Sequence, residues 1–234
     1  MIHPNIHYLA LSFVDGIGAV NAKLLISYCG SAEAIFKESK AALLKIPGIG
    51  AKTVSKIQSS AVQEKIDEEL AFIEKYKIKM LAYTDADFPQ RLNHCPDAPL
   101  LLYQKGTTNL NATKVISIVG TRKATHYGKG FVQSLLGELQ GTNIQVVSGM
   151  ALGIDGQAHK SSIENGLETI GVLGHGLNTI YPAKHKSLAK EMLEKRGSLL
   201  TERNSQEKMV PGNFPSRNRI IAGMSDAVLV LESA

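Results

Sequence analysis

The sequence predicts an α/β fold in which a small all-α domain precedes a parallel sheet with helices on both faces. Two observations support this prediction. Apolar residues recur at helical spacing through the first 76 residues, whereas short apolar stretches alternate with helical segments after Asn111. Short buried strands that alternate with helices are typical of a parallel sheet. We therefore expect a helical domain over residues 1–76 and an α/β domain over residues 77–234.

The predicted helical domain contains a repeated glycine motif. Val14–Leu24 and Ile46–Lys56 each contain Gly-Ile-Gly, followed by a helical segment with a lysine. Glycine permits a tight turn, and the first amides of the next helix can hold a phosphate. This is the helix-hairpin-helix pattern of SAM-like domains. Residues 1–110 contain 12 basic and 11 acidic residues, so they are nearly neutral. Because of this, the two hairpins could instead only pack against each other. Helices are expected over Ala19–Tyr28, Ala32–Phe36 and Val62–Tyr76.

Residues 77–111 are predicted to add an edge to the sheet. The apolar stretches Ile78–Tyr83 and Leu100–Tyr103 indicate strands, and Asp85–Leu92 indicates a turn that enters a short helix. This segment is too apolar for a free linker. We therefore expect it to dock on the α/β domain.

The alternation after Asn111 predicts an extended Rossmann-like core. Strands are expected at Lys114–Val119, Ile144–Val147, Thr169–Leu173, Ser198–Thr201 and Ala227–Leu231. Helices are expected at Gly128–Leu139, Gly156–Glu164, Lys186–Lys195 and Arg217–Gly223. Ligands of such sheets bind at the edge where the carboxyl ends of the strands meet.

Glycine-rich loops follow the first three of these strands. They are Gly120–Thr125, Ser148–Asp155 and Gly174–Pro182. Because parallel strands end at one edge, these loops should lie side by side. Glycine lets a ligand approach the backbone closely, each following helix offers free amides, and Arg122 and Lys123 add positive charge. The three loops predict an anion-binding site.

Composition excludes several classes of protein. A hydrophobic fraction of 44% is enough for a core, so wholesale disorder is excluded. No apolar run approaches the ~18 residues of a membrane span, and the first residues lack the features of a signal peptide. Cys29 and Cys95 are too few and too far apart for a disulfide framework, which favours a cytoplasmic location. Because no apolar run is long enough, no membrane partner is expected. The net charge of +5, with 14 basic and 10 acidic residues in 111–234, favours a polyanionic partner.

Five ordered motifs resemble those of the DNA-processing protein A family (DprA, also called Smf). They are Val119–Thr125, Ser148–His159, Val172–Pro182, Gly197–Glu202 and Phe214–Asp226. The resemblance extends over residues 1–234 and is looser in the helical domain. It implies a bacterial protein of natural transformation that binds single-stranded DNA and helps load the RecA recombinase, with no cofactor and no established catalysis.

The end of the chain departs from that family. It stops at Ala234, where members continue into a further helix and strand, so we expect a truncated chain. The family's self-association surface lies largely in that later region. A homodimer and contact with RecA are thus implied by the resemblance, while the region expected to carry most of the self-association surface would be absent from this chain.

The motifs carry over DNA-binding roles residue by residue. Arg122 would contact a phosphate through its planar fork of donors, and the amides of Ser148–Asp155 would line the same pocket. Phe214 would stack on a base, because a strand bound without sequence preference needs a basic track and an aromatic face. The predicted DNA-binding residues are Gly120, Thr121, Arg122, Lys123, Ser148, Gly149, Met150, Ala151, Gly153, Lys184, Lys186, Phe214, Arg217, Asn218 and Arg219.

Several of these residues also fit structural roles. Phe214 could instead fill the core, and Arg219 could instead pair with Glu202 or Asp226. Asp155 lies in a Gly-Ile-Asp-Gly turn and is expected to cap a helix rather than to catalyse. No metal site is predicted, because the following histidines lack ligand spacing on one helix face: His159, His175 and His185.

Two rival functions fit parts of the pattern. A nucleotide-binding hydrolase of the lysine-decarboxylase-like Rossmann group needs a Pro-Gly-Gly-x-Gly-Thr-x-x-Glu loop, and Gly174–Thr179 has no matching glutamate. A dinucleotide-binding domain needs Gly-x-Gly-x-x-Gly after its first strand, which Gly120–Thr125 lacks. Basic residues in place of those glycines favour a longer polyanion. Single-stranded DNA binding without turnover is the preferred function, and the hydrolase is the alternative.

Overall fold

The computed structural model describes residues 3–57, 59 and 63–233. The α-helices are α1 Ile6–Ser12, α2 Ala19–Cys29, α3 Ala32–Lys37, α4 Lys40–Leu43, α5 Ala51–Ile57, α6 Gln63–Tyr76, α7 Gln90–Asn93, α8 His126–Glu138, α9 Ile154–Glu164, α10 Lys186–Glu194 and α11 Asn213–Gly223. The strands are β1 Lys79–Ala82, β2 Leu101–Gly106, β3 Lys114–Gly120, β4 Ile144–Ser148, β5 Thr169–Val172, β6 Gly197–Thr201 and β7 Ala227–Leu231.

The strands form one seven-stranded sheet in the order β1-β2-β6-β5-β4-β3-β7. The five strands from β6 to β7 are parallel, whereas β2 pairs antiparallel with β6 and β1 antiparallel with β2. The α/β fold with an extended Rossmann-like sheet after a helical region is confirmed. The predicted added edge is the antiparallel pair β1–β2, so the sheet as a whole is mixed. The division of the chain at residue 76 stays a prediction.

Helices cover both faces of the parallel strands. On one face Val147 and Val172 pack against Ile220 of α11 and Met224, the residue that follows this helix. On the other, Ile118 and Val146 lie in a cluster with residues of α8 and α9. Strands buried on both faces need apolar residues at consecutive positions, which explains the apolar stretches of the sequence.

The helical region docks on the antiparallel edge of the sheet. Leu9 of α1 and Ile73 of α6 share a cluster with Met80 and Tyr103 of β1 and β2. The buried carboxylate of Glu69 on α6 accepts hydrogen bonds from the amide and hydroxyl of Ser205, in the loop after β6. These contacts fix α6 beside the carboxyl end of β6.

Both glycine hairpins form as predicted. Gly16 and Gly48 have positive φ angles of 89° and 79°, and α2 and α5 start three residues after them. Lys56 of the second hairpin donates to the carbonyl of Asp15 in the first, at 3.2 Å. The hairpins therefore contact each other, which fits the packing role left open by the sequence; DNA contact by this region stays untested.

Three helices begin earlier than the sequence predicts. α8 begins at His126, α9 at Ile154 and α11 at Asn213 rather than at Gly128, Gly156 and Arg217. Glycine or proline stands near each of these starts and is compatible with a first helical turn, because the amides of that turn have no hydrogen-bond partner within the helix. Val62, in the predicted helix Val62–Tyr76, lies outside the described residues. No helix in the described part of the chain is long and apolar enough to span a membrane.

Candidate nucleic-acid interface

The loops after β3 and β4 are in direct contact at the carboxyl edge of the sheet. The amide of Ile154 donates to the carbonyl of Thr121 at 3.2 Å. Gly153, at φ +80°, leaves room for this contact, since a Cβ there would overlap the Thr121 oxygen. The side-by-side arrangement expected of these loops therefore depends on a glycine at this position.

A pocket with apolar walls and two guanidinium groups opens between the loops. It has a volume of about 70 Å³ and is lined by Arg122, Gly149, Ala151, Leu152, Tyr181, Pro182, Phe214 and Arg217. The rings of Tyr181 and Phe214 lie 5.5 Å apart at 46°. Phe214 is half-buried, so its ring contributes to the wall of the pocket. The pocket combines charge with aromatic surface.

Arg217 was predicted to contact DNA directly. In the structure it lies beneath the pocket and is buried. Its side chain is 5% exposed. Nη1 donates to the carbonyl of Gly149 at 2.6 Å and to that of Val172. Burial lowers the pKa of Arg217 to about 10, with Asp155 opposing this change and Arg122 adding to it. The group stays charged at neutral pH, fixed to the ends of β4 and β5.

Asp155 holds the β4 loop and does not cap a helix, so that prediction was wrong. The N-cap of α9 is Gly153, which makes no side-chain cap bond. The Asp155 carboxylate instead accepts from the amides of Gly149 at 3.1 Å and Ala151 at 3.4 Å. Burial raises the pKa of Asp155, and Arg217 and the loop amides oppose this. The amides of Gly149 and Ala151 are therefore already bonded, contrary to the expectation that they face a ligand.

Four predicted basic residues are exposed around the pocket. Arg122 lines it directly, Lys123 follows in the same loop, Lys184 lies in a short 3-10 helix at Ala183–His185, and Lys186 begins α10. None of the four forms an ion pair with another of the described residues. Their charge is thus available to an anion.

Three predicted residues have side chains turned away from the pocket. Ser148 is fully buried, and its hydroxyl donates to the Ile118 carbonyl at 2.5 Å. Met150 is fully buried in the core despite a positive φ of 57°. Arg219 pairs with Glu202 and, at 3.7 Å, with Asp97, so it matches the ion-pair alternative. Asp226, the other partner considered, binds Arg91 instead.

The remaining predicted residues lie close to the pocket. Gly120 ends β3 under Ile154, with no space for a side chain. The hydroxyl of Thr121 accepts from the amide of Lys123 at 3.2 Å. Asn218 is exposed, and its oxygen accepts from Nε of Arg217 at 3.2 Å.

The three histidines hold loops in place. His185 Nδ1 donates to the Met150 carbonyl at 2.9 Å. His175 Nδ1 donates to the Gly176 carbonyl, and its Nε2 accepts from the amide of Tyr181 at 3.3 Å. His159 is bonded to Thr169, and burial lowers its pKa to about 3. Within the described ranges no three potential metal ligands come together.

Sequence reasoning missed Tyr181 and Leu152. Tyr181 is 51% exposed and contacts Phe214, and Leu152 forms part of the pocket wall. A usable signal existed for Tyr181, because an aromatic residue stands inside the loop already singled out for its glycines. The sequence pattern predicted a DNA contact only for Lys184 and Lys186, which follow that loop.

The comparison with known protein families agrees with this geometry. The family described as DNA recombination-mediator protein A matches residues 79–234. The chain belongs to this family. The SAM-like helix-hairpin-helix tandem family matches residues 8–62, the part that contains both hairpins.

Relatives in this family are similar along most of the chain. Protein Smf of Synechocystis is 36% identical over 97% of this chain and 58% of its own length. DNA processing protein DprA of Bacillus subtilis is 35% identical over 81% of this chain and 66% of its own length. This chain therefore spans less than two thirds of these relatives.

Two solved structures share the fold. DNA processing protein A of Streptococcus pneumoniae superimposes with a TM-score of 0.77 at 28% identity, covering 100% of this chain and 79% of that one. DNA processing protein A of Helicobacter pylori superimposes with a TM-score of 0.59 at 29% identity, covering 66% of this chain and 69% of that one. The second structure concerns that protein's mode of binding single-stranded DNA.

Proposed function

We propose that this chain binds single-stranded DNA without reading its sequence and without chemical turnover. The observation that carries the proposal is the pocket that joins Arg122 and Arg217 to the rings of Tyr181 and Phe214. The H. pylori family member, whose structure concerns single-stranded DNA binding, gives independent support.

The charge of the pocket favours a phosphate. Two guanidinium groups line the pocket, and one buried carboxylate, Asp155, lies near Arg217 with its hydrogen bonds directed to loop amides. In a partly desolvated pocket the excess positive charge attracts an anion more strongly than it would in water. We assign the phosphate contact to Arg122, which is exposed and has a planar fork of donors.

The aromatic wall favours an unpaired base. Phe214 and Tyr181 offer ring surface to one side of the charged groups. Every base has a π face, so stacking tolerates any sequence. A base in a duplex is already stacked and paired, and extracting it costs free energy that a single strand does not lose. The pocket should therefore favour single strands over duplex.

The absence of turnover is also a proposal. Among the described residues that line the pocket there is no carboxylate or histidine. The rival hydrolase reading needs such a group facing the substrate, as general acid or base. Nothing in the pocket favours it.

Family membership supports the wider role. We propose that the protein acts in natural transformation, helps load RecA on single-stranded DNA, and works in the cytoplasm. A homodimer belongs to the same proposal.

The test compares single-stranded oligo-dT with duplex of equal length by gel shift and fluorescence anisotropy, beside a nucleotide-hydrolysis assay. We expect tighter binding of the single strand, similar affinity for mixed sequences, and no released base or phosphate. Equal affinity for duplex, or hydrolysis of a nucleotide, contradicts the proposal.

A further inference from the structure

A single strand held in the pocket must leave it along the carboxyl edge of the sheet. Neighbouring strands lie ~4.8 Å apart, so each loop on this edge is one short step from the next. In one direction the path crosses the loop after β6. In the other it crosses the loop after β3 and reaches the first turn of α8.

The β6 side offers no excess of positive charge. Glu202 and Glu207 stand in that loop with Arg203, and Arg203 lies 2.7 Å from Glu207 and 3.7 Å from Glu202. Arg219 of α11 also bonds Glu202. Lys208 in the same loop is exposed and forms no ion pair with another described residue. The two carboxylates of the loop, Glu202 and Glu207, still balance its two cations, Arg203 and Lys208, so a phosphate approaching this side meets a surface without net charge.

The β3 side is basic. Arg122 and Lys123 have no ion-pair partner in the part of the chain that the structure describes. The nearby carboxylate of Glu232 is bonded to the amide of Thr125 at 2.9 Å and to its hydroxyl. Glu232 is therefore bonded at the N-terminus of α8 and not to Arg122 or Lys123. The charges of these two side chains remain available to a ligand.

Tyr127 lies just beyond these cations, in the first turn of α8. Its side chain is 81% exposed and makes no ring contact or hydrogen bond with the described residues. Side chains on a helix lean toward its N-terminus, so this ring leans toward the carboxyl edge. Tyr127 is the fifth residue after Arg122, which limits the distance between their Cα atoms to about 18 Å.

We propose that the single strand runs from the pocket across Lys123 to Tyr127, which stacks on a second base. This inference rests on the proposed function and adds the direction of the path and a residue outside the pocket. The occupant is a nucleic-acid strand because an exposed ring beside unpaired cations matches both the base and the phosphate of a nucleotide.

The test uses the lack of tryptophan in this chain. Tyr127→Trp places a fluorescent ring at the site, and Tyr76→Trp, at a position 42% exposed at the end of α6 beside Lys105, is the matched control outside both glycine hairpins. We expect oligo-dT of about 16 nucleotides to quench Tyr127→Trp, and the dinucleotide dTpdT, which is too short to extend from the pocket to Tyr127, to leave it unquenched. Tyr76→Trp should respond to neither.

Affinity gives a second readout. Tyr127→Ala should weaken binding of the long oligonucleotide at least about fivefold, and Tyr127→Phe should stay within about twofold of wild type. Affinity for the short oligonucleotide and the melting temperature should not change. If Tyr127→Ala binds the long strand as wild type does, the path is wrong while the pocket stands. If wild type binds neither oligonucleotide, the proposed function itself fails.

Discussion

The guanidinium of Arg217 and the carboxylate of Asp155 both lie against the Cα of Gly149. A Cβ at this position would lie 2.5 Å from Nη2 of Arg217 and 2.6 Å from Oδ2 of Asp155. The absence of a side chain at residue 149 thus lets a buried cation and a buried anion both approach the backbone of the β4 loop at the same position. The shape of the pocket floor follows from this contact.

Gly149→Ala should therefore disturb folding and binding together. We expect a loss of about 1–3 kcal/mol in the free energy of unfolding, as for an overpacked core, and weaker binding of oligo-dT. Urea denaturation and anisotropy measure the two effects. Gly130→Ala is the control, because a Cβ there meets no atom within 4 Å, and inside α8 it should stabilise by about 0.5–1 kcal/mol. Wild-type stability in Gly149→Ala would contradict the packing described.

Arg219→Ala separates structural from DNA-binding arginines. Arg219 is bound to Glu202 and Asp97, so its loss should cost about 1–2 kcal/mol of stability by leaving the largely buried Glu202 with only its longer, 3.7 Å contact to Arg203. The salt dependence of DNA binding should stay as in wild type. A flatter salt dependence in this variant would mean that Arg219 contacts a phosphate after all.

Phe214→Ala should weaken single-strand binding by about 1–3 kcal/mol, the contribution of one stacked base. The salt dependence should not change, because stacking releases no counterions. Phe214→Leu tests the alternative of a core-filling residue, since leucine fills space but cannot stack. Full affinity in Phe214→Leu would show that the ring only supports the pocket wall beside Tyr181.

Asp226 should make stability depend on pH. Hydrogen bonds from Arg91 and from the Val115 amide lower its pKa in the folded protein. A carboxylate whose pKa is lowered by folding stabilises the protein at pH values above its unfolded pKa of ~3.9. This stabilisation is lost as the pH falls through the pKa of the folded state. Asp226→Ala should melt earlier than wild type at neutral pH, with the gap closing in acid.

The control for that melting series is Asp87→Ala. Asp87 contacts Lys79 on the surface without a backbone donor, and exposed pairs contribute little. It should melt near wild type at every pH. A gap for Asp226→Ala that persists unchanged into acid would rule out the carboxylate as its cause.

Much of the fold follows from the sequence because strand and helix periods are local properties. The alternation after Asn111 predicts all five parallel strands, and glycine runs predict which loops meet. Strand direction at the added edge is not local: β2 pairs antiparallel with β6 through residues such as Tyr103 and Thr201, far apart in the chain. The sequence pattern contains no signal for that pairing.

The site was predicted in its position and less well in its details. Arg122 and Phe214 stand at the pocket as expected. The burial of Arg217 depends on Gly149, 68 residues earlier. The Asp155 carboxylate accepts hydrogen bonds from amides that precede it in the same loop. Both depend on how side chains fill space under the loops, which local pattern does not reveal.

The most direct test of the central claim is the salt dependence of oligo-dT binding by wild type and Arg122→Ala. A plot of log affinity against log salt has a slope of about −0.7 per phosphate engaged. We expect Arg122→Ala to bind more weakly, to flatten that slope by about 0.7 and to keep the wild-type melting temperature, because Arg122 is exposed and unpaired among the described residues. An unchanged slope and affinity would contradict the account.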